Sequence, residues 1–196
     1  MRITFGDSEL SVLQWSDDAD FESFLDGCDA GHLVLGTDSE RTQQLHTVTV
    51  HLGSSGRRLG IGIRAETHGL FPGLLLREDL SELWIGFNRE VAGVVVTNGK
   101  LRFRLRLDSL FHRFVRVNGT IVVLLEAGVM GLGANGAVQW QHATDLIERW
   151  SLAAGKVRLE FMDTDPAELK VSSGALKALT AAETLPSVDR PDRVDH

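Results

Sequence analysis

The chain has 196 residues, 43% of them hydrophobic and 24% charged, with 20 glycines, one cysteine and a formal net charge of −7. Such a composition describes a folded protein able to bury a core, and it excludes a wholly disordered chain, a collagen-like repeat and a small disulfide scaffold. The negative balance also argues against a general nucleic-acid binder, which needs a local excess of Lys and Arg to neutralise phosphates.

The charge is uneven along the chain. Residues 1–45 hold two arginines against ten acids, 46–131 hold eleven bases against seven acids, and 132–196 hold seven bases against ten acids. Either the acidic start folds against the basic middle, or the two present oppositely charged binding faces. The start MRITFGDSEL lacks the apolar stretch of a signal peptide, no run is apolar and long enough for a bilayer helix, and Cys28 has no internal disulfide partner. The expectation is a reducing, cytoplasmic setting without membrane association.

The first periodic segment is Asp17 to Cys28, where Phe21, Phe24, Leu25 and Cys28 fall at i, i+3, i+4 and i+7, one apolar stripe of a helix. Ser16 or Asp17 suits its N-cap, Asp18, Asp20 and Glu22 suit the positive end of its dipole, and Gly31 can end it. Cys28 then faces the core as a packing group, because burial disfavours the reactive thiolate. From Gln44 the period is two: Val48, Val50 and Leu52 alternate with Thr47, Thr49 and His51. After the turn Gly53-Ser54-Ser55-Gly56, the residues Leu59, Ile61, Ile63 and Ala65 alternate with Arg58, Gly60, Gly62 and Arg64, which completes a hairpin. Gly69 to Gly73, with Pro72, breaks the pattern.

From Leu83 onward the chain repeats itself. Gly99-Lys-Leu-Arg-Phe103 aligns with Gly136-Ala-Val-Gln-Trp140, each preceded by asparagine, so Asn98-Gly99 and Asn135-Gly136 are both expected as type I′ turns. Val91-Ala-Gly-Val94 echoes Val129-Met-Gly-Leu132, and Leu110 aligns with Ile147. The unit is a meander of about four strands. Strand pattern continues through Val157, Leu159 and Phe161, then Leu169 and Val171; Ala175 to Leu185 reads as a short helix before Pro186, and 187–196 as a loose polar tail.

These residues, a glycine turn leading into a strand that carries an aromatic, resemble the blade repeat of quinoprotein-type β-propellers over residues 83–156. With two units visible, the resemblance implies blade-like meanders rather than a closed propeller, and it brings no quinone or other cofactor. The expected fold is mainly β: antiparallel meander sheets, as a sandwich or curved sheet, with one N-terminal amphipathic helix and a short C-terminal one. Residues 1–186 read as one β-rich domain with sub-units 1–80 and 81–172.

Motifs for chemistry are sparse. Gly131-Leu-Gly133-Ala-Asn-Gly136 matches the dinucleotide fingerprint, but Val138, Trp140 and His142 alternate as a strand where a helix should open. His46 and His51 point to opposite faces of their strand, so no metal site is expected. A small enzyme or ligand-binding β protein would need a polar site near Ser54, His68 or His142. The favoured site is the strand Lys100 to Leu107, where Lys100, Arg102, Arg104 and Arg106 alternate with Leu101, Phe103, Leu105 and Leu107. Four cations on one face would span about 20 Å. With no aromatic among them to stack a base, they suit carboxylates of a protein partner better than nucleic acid. The competing reading is a solvated sheet face paired with acids on neighbouring strands. The functional expectation is a non-catalytic protein-binding module without cofactor, of toxin-neutralising (immunity-type) or adaptor kind.

Overall fold

The computed structural model describes residues 2–5, 8–36, 42–66, 71–77 and 81–179. The protein is mainly β, four sheets stacked in chain order. The first contains β1 (Arg2–Phe5), β2 (Ser8–Trp15), β3 (His32–Leu35), β4 (Thr42–Leu52) and β5 (Arg57–Glu66), in the order β1-β2-β4-β5-β3, with α1 (Asp18–Asp26) and a 3₁₀ turn η1 (Gly53–Ser55) between strands. The short β3 lies parallel to β5, and every other pairing among the described residues is antiparallel.

Three four-stranded antiparallel meanders follow, the unit that the repeat implied. They are β6 (Gly73–Leu76), β7 (Glu82–Phe87), β8 (Glu90–Val95) and β9 (Leu101–Arg106); β10 (Phe111–Val117), β11 (Thr120–Leu125), β12 (Gly128–Leu132) and β13 (Val138–Ala143); and β14 (Ile147–Ala153), β15 (Lys156–Phe161), β16 (Ala167–Lys170) and β17 (Ala175–Ala178). Each interface is an apolar layer. Val48, Ile61 and Ile63 of the first sheet meet Leu83, Ile85 and Val94 of the second; Trp84 and Val91 meet Phe111 and Met130 of the third; Val122 and Val129 meet Val157 and Leu169 of the fourth. Among the described residues no apolar cluster joins the first sheet to the fourth, so the stack is open.

The helix forms where its pattern predicts. Asp17 Oδ1 accepts from the amides of Ala19 and Asp20 at 2.8 and 3.1 Å, satisfying two of the free N–H groups at the helix start. Phe21, Leu25 and Cys28 are buried on β5, whose Gly60 and Gly62 leave the room: a Cβ on Gly62 would stand 2.7 Å from both Phe21 and Leu25, and one on Gly60 2.7 Å from Cys28. The alternating glycines of β5 thus make a groove for the helix.

The repeat is an equivalence of packing. Gly93 pairs with Phe103 and Gly131 with Trp140, and in both cases the aromatic ring lies over the glycine. The next turn then closes on that ring: a Cβ on Gly136 would meet Phe103 at 2.5 Å, and one on Gly174 would meet Trp140 at 2.3 Å. Ser173-Gly174 is a third copy of the turn, with Ala175 N–H donating to Ser173 Oγ as Lys100 and Ala137 donate to Asn98 and Asn135.

Two expectations need correction. Gly99 and Gly136 have positive φ but Asn98 and Asn135 do not, so these are three- and four-residue loops closed by a left-handed glycine rather than type I′ turns. Two consecutive positive φ values occur instead at Asn118-Gly119 and Ala154-Gly155. The segment Ala175–Ala178, expected to open a helix, is strand β17, because Leu176 pairs with Leu169 and packs into the last apolar layer, which outweighs local helix propensity. Residues 180–185, and the tail 187–196, lie outside the described residues.

Candidate functional site

The acidic start does meet the basic middle, though not at the arginine strand. Arg64, buried on β5, reaches Asp18 at 2.5 Å and Glu22 at 3.1 Å while lying 5.2 Å over Phe21. Arg58 donates through its backbone amide to Asp29 Oδ1 at 2.7 Å and through its guanidinium to the Gly27 carbonyl. The hydrogen bond donated by the Arg58 backbone amide holds the Asp29 carboxyl below its ordinary pKa.

On β9 a bulge breaks the expected alternation. Gly93 pairs with Phe103 but Val94 pairs with Leu101, leaving Arg102 as an extra residue. Arg102 consequently turns to the Trp84 side of the sheet, where its Nε lies 2.8 Å from Glu82, a buried carboxylate that also accepts from Trp84 Nε1 at 3.1 Å. Arg104 and Arg106 stand opposite Ala92 and Glu90 and face the first sheet. The four cations therefore do not share one face. Arg104 donates to Glu90 Oε2 at 2.7 Å, and Lys100 and Arg106 have no ion pair among the described residues.

Arg104 and Arg106 border a cleft of about 520 Å³ between the first and second sheets, completed by Arg89 and Asn88 of the β7–β8 turn and by Glu66 and Gly36. Asn88, with φ +45, fixes this corner by accepting from the Glu66 amide at 3.0 Å. Arg89 is exposed and, like Arg106, has no ion pair among the described residues, while Glu90 Oε1 is buried without a hydrogen-bond partner. Three guanidinium groups against two carboxylates make the cleft basic, and two of them are available for bidentate contact with an incoming carboxylate or phosphate. The periodicity of β9 pointed to Arg104 and Arg106. Arg89 was missed because a turn residue has no period; the Asn88-Arg89 pair between two apolar runs is the signal that a hairpin search would use.

The other candidates are dispersed. Ser54 lies in η1 of the first sheet, and His68 lies outside the described residues. His142 on β13 is bonded through Nε2 to the Gly174 carbonyl at 2.5 Å and lies beside Trp140, so it ties the third sheet to the fourth. Gly131 is in strand β12 and Gly136 in a hairpin turn, so no helix start is present for a dinucleotide. His46 is fully buried, its Nε2 3.3 Å from Gln44 Oε1, and burial lowers its pKa. Burial likewise raises that of Cys28, whose thiol lies 3.6 Å from the Phe24 carbonyl. No group of three metal-ligating side chains occurs among the described residues, and no helix is long and apolar enough to cross a membrane.

No protein-family model and no curated protein matches the chain. Among the solved structures similar to it are two with a TM-score of 0.45. One is the computationally designed Ika4 protein, 13% identical over 60% of this chain and 76% of that one. The other is BamB from Moraxella catarrhalis, 16% identical over 85% of this chain and half of that one.

Proposed function

We propose that the chain is a non-catalytic protein-binding module whose basic cleft receives acidic side chains of a partner, in the manner of a toxin-neutralising (immunity-type) or adaptor protein. The observation that carries this reading is the pair Arg89 and Arg106, both without an ion pair among the described residues, beside the paired Arg104 in one cleft. Opposite charges across an interface speed encounter and select partners, and two pre-placed guanidinium forks lose little conformational freedom on contact. Lys100, immediately before the same edge strand, extends the positive field, while Arg102 serves chiefly to hold Glu82. The rival reading, a catalytic or ligand site near Ser54, His68 or His142, has less support, since His142 is already engaged with Gly174.

A labelled glutamate-rich peptide, followed by fluorescence anisotropy at two salt concentrations, tests the proposal. It should bind with a salt-sensitive affinity that a lysine-rich peptide of equal length lacks. The double substitution Arg89→Glu and Arg106→Glu should weaken it by about tenfold or more, through slower association, and leave thermal stability unchanged. Equal binding of both peptides, or undiminished binding by the double variant, would reject the cleft as the contact.

A further inference from the structure

The first strands of the third and fourth sheets each carry one extra residue. On β10, Phe111 pairs with Leu125 and Arg113 with Leu124, leaving His112 over. On β14, Ile147 pairs with Phe161 and Arg149 with Glu160, leaving Glu148 over. A bulge sacrifices ladder hydrogen bonds and re-aims a side chain, and here both extra residues line one cleft of about 290 Å³ between the two sheets. Without the bulge, Glu148 would alternate to the outer face with other charged residues of the fourth sheet.

Arg113 shares this cleft, its guanidinium carbon 5.8 Å from the centroid of the Trp150 ring. Arg113 and Glu148 do not form an ion pair with each other, and among the described residues neither has another charged or hydrogen-bonding side-chain partner. The cleft therefore holds one positive and one negative group, each open to a ligand, between apolar walls supplied by Leu124, Ile147 and Trp150.

We propose that this cleft binds a free α-amino acid with an apolar side chain. Its carboxylate takes the Arg113 fork, its ammonium takes Glu148, and its side chain lies against the apolar wall, with His112 at the rim as a further hydrogen-bonding group. The volume is at the lower limit for small-molecule sites, which suits a ligand of this size rather than a nucleotide. A simple carboxylate would leave Glu148 unmatched and a simple amine would leave Arg113 unmatched, so each would make only one of the two charge contacts that the zwitterion makes. Recognition thus requires both ends of the zwitterion. The proposal is independent of the acidic-partner reading, which concerns a different cleft.

Isothermal titration calorimetry of the full chain with L-leucine, L-methionine and L-phenylalanine provides the test, with L-leucinamide and N-acetyl-L-leucine as ligands lacking one charge each. At least one of the three amino acids should bind saturably, and the two blocked leucine derivatives should bind about tenfold more weakly or worse than L-leucine. Arg113→Met and Glu148→Gln should each weaken binding by a similar factor; both side chains are exposed, so the melting temperature without ligand serves as the folding control. Should Arg113→Met disturb folding, Glu148→Gln alone decides, since it removes the charge while keeping the shape. No saturable binding by any of the three amino acids, equal binding of leucinamide, or unchanged affinity in Glu148→Gln would overturn the assignment.

Discussion

The first and fourth sheets each have an outer surface that no other described sheet covers, and the two surfaces are built differently. On the first sheet, α1 lies in the groove made by Gly60 and Gly62 and buries Phe21, Leu25 and Cys28. On the fourth, the outer surface is a lattice of charges: Lys156 meets Glu168 at 2.6 Å, Arg158 lies 3.4 Å from Glu160, and Arg149 stands opposite Glu160 in register. One end is closed by apolar burial and the other by a surface that is content in water. The contrast teaches where sequence change should be felt, because apolar caps depend on shape whereas exposed ion pairs are individually weak.

The largest effect is expected at the helical end. Phe21→Ala removes a fully buried ring and should destabilise by about 3–5 kcal/mol in urea denaturation; a loss below 1 kcal/mol would mean that the helix is not a true cap. Gly62→Val should cost about 1–3 kcal/mol, because its Cβ would collide with Phe21 and Leu25.

The ends should also differ in acid. His46 of the first sheet is fully buried with its pKa below the ordinary 6.5. Below about pH 6.5 the unfolded chain takes up a proton that the folded chain still refuses, so stability is greatest above this window. It falls as the pH drops through it, by up to about 1.4 kcal/mol per pH unit. The fourth sheet, residues 147–178, contains no histidine. Hydrogen-exchange protection, corrected for the intrinsic exchange rate at each pH, should therefore fall first in β4 and β5 between pH 7 and pH 5, and His46→Gln should reduce the difference. An equal loss of protection in β15 and β16 would dissolve the contrast. The smallest effect belongs to the charged lattice: Lys156→Gln should change stability by no more than about 1 kcal/mol, and less at high salt.

Much of this architecture is legible in the residues. The stripe from Phe21 to Cys28 specifies the helix, the alternation from Gln44 to Ala65 specifies the β4–β5 hairpin, and the repeat of Gly99 and Gly136 marks equivalent turns. The third copy escaped because Ser173 replaces asparagine and because Ala178, opposite Ala167, stands where Phe103 and Trp140 stand in the earlier sheets. The bulges are harder still. A single inserted residue leaves composition and hydropathy unchanged, yet it reverses the face of everything beyond it. That is why Arg102 departs from its supposed neighbours and why Glu148 enters a cleft instead of the outer lattice. The parallel β3 and the corner at Asn88-Arg89 depend on contacts between distant segments that no local period encodes.

The position of the lone thiol gives the helical end a built-in clock. Cys28 sits at the last turn of the cap, 5% exposed, against the bare backbone of Gly60. An alkylating reagent must wait for that turn to lift, and the molecule offers it a single target. The rate at which iodoacetamide consumes the thiol, compared with a free cysteine at the same pH, therefore measures how often this one end opens, with nothing added to the protein to report it.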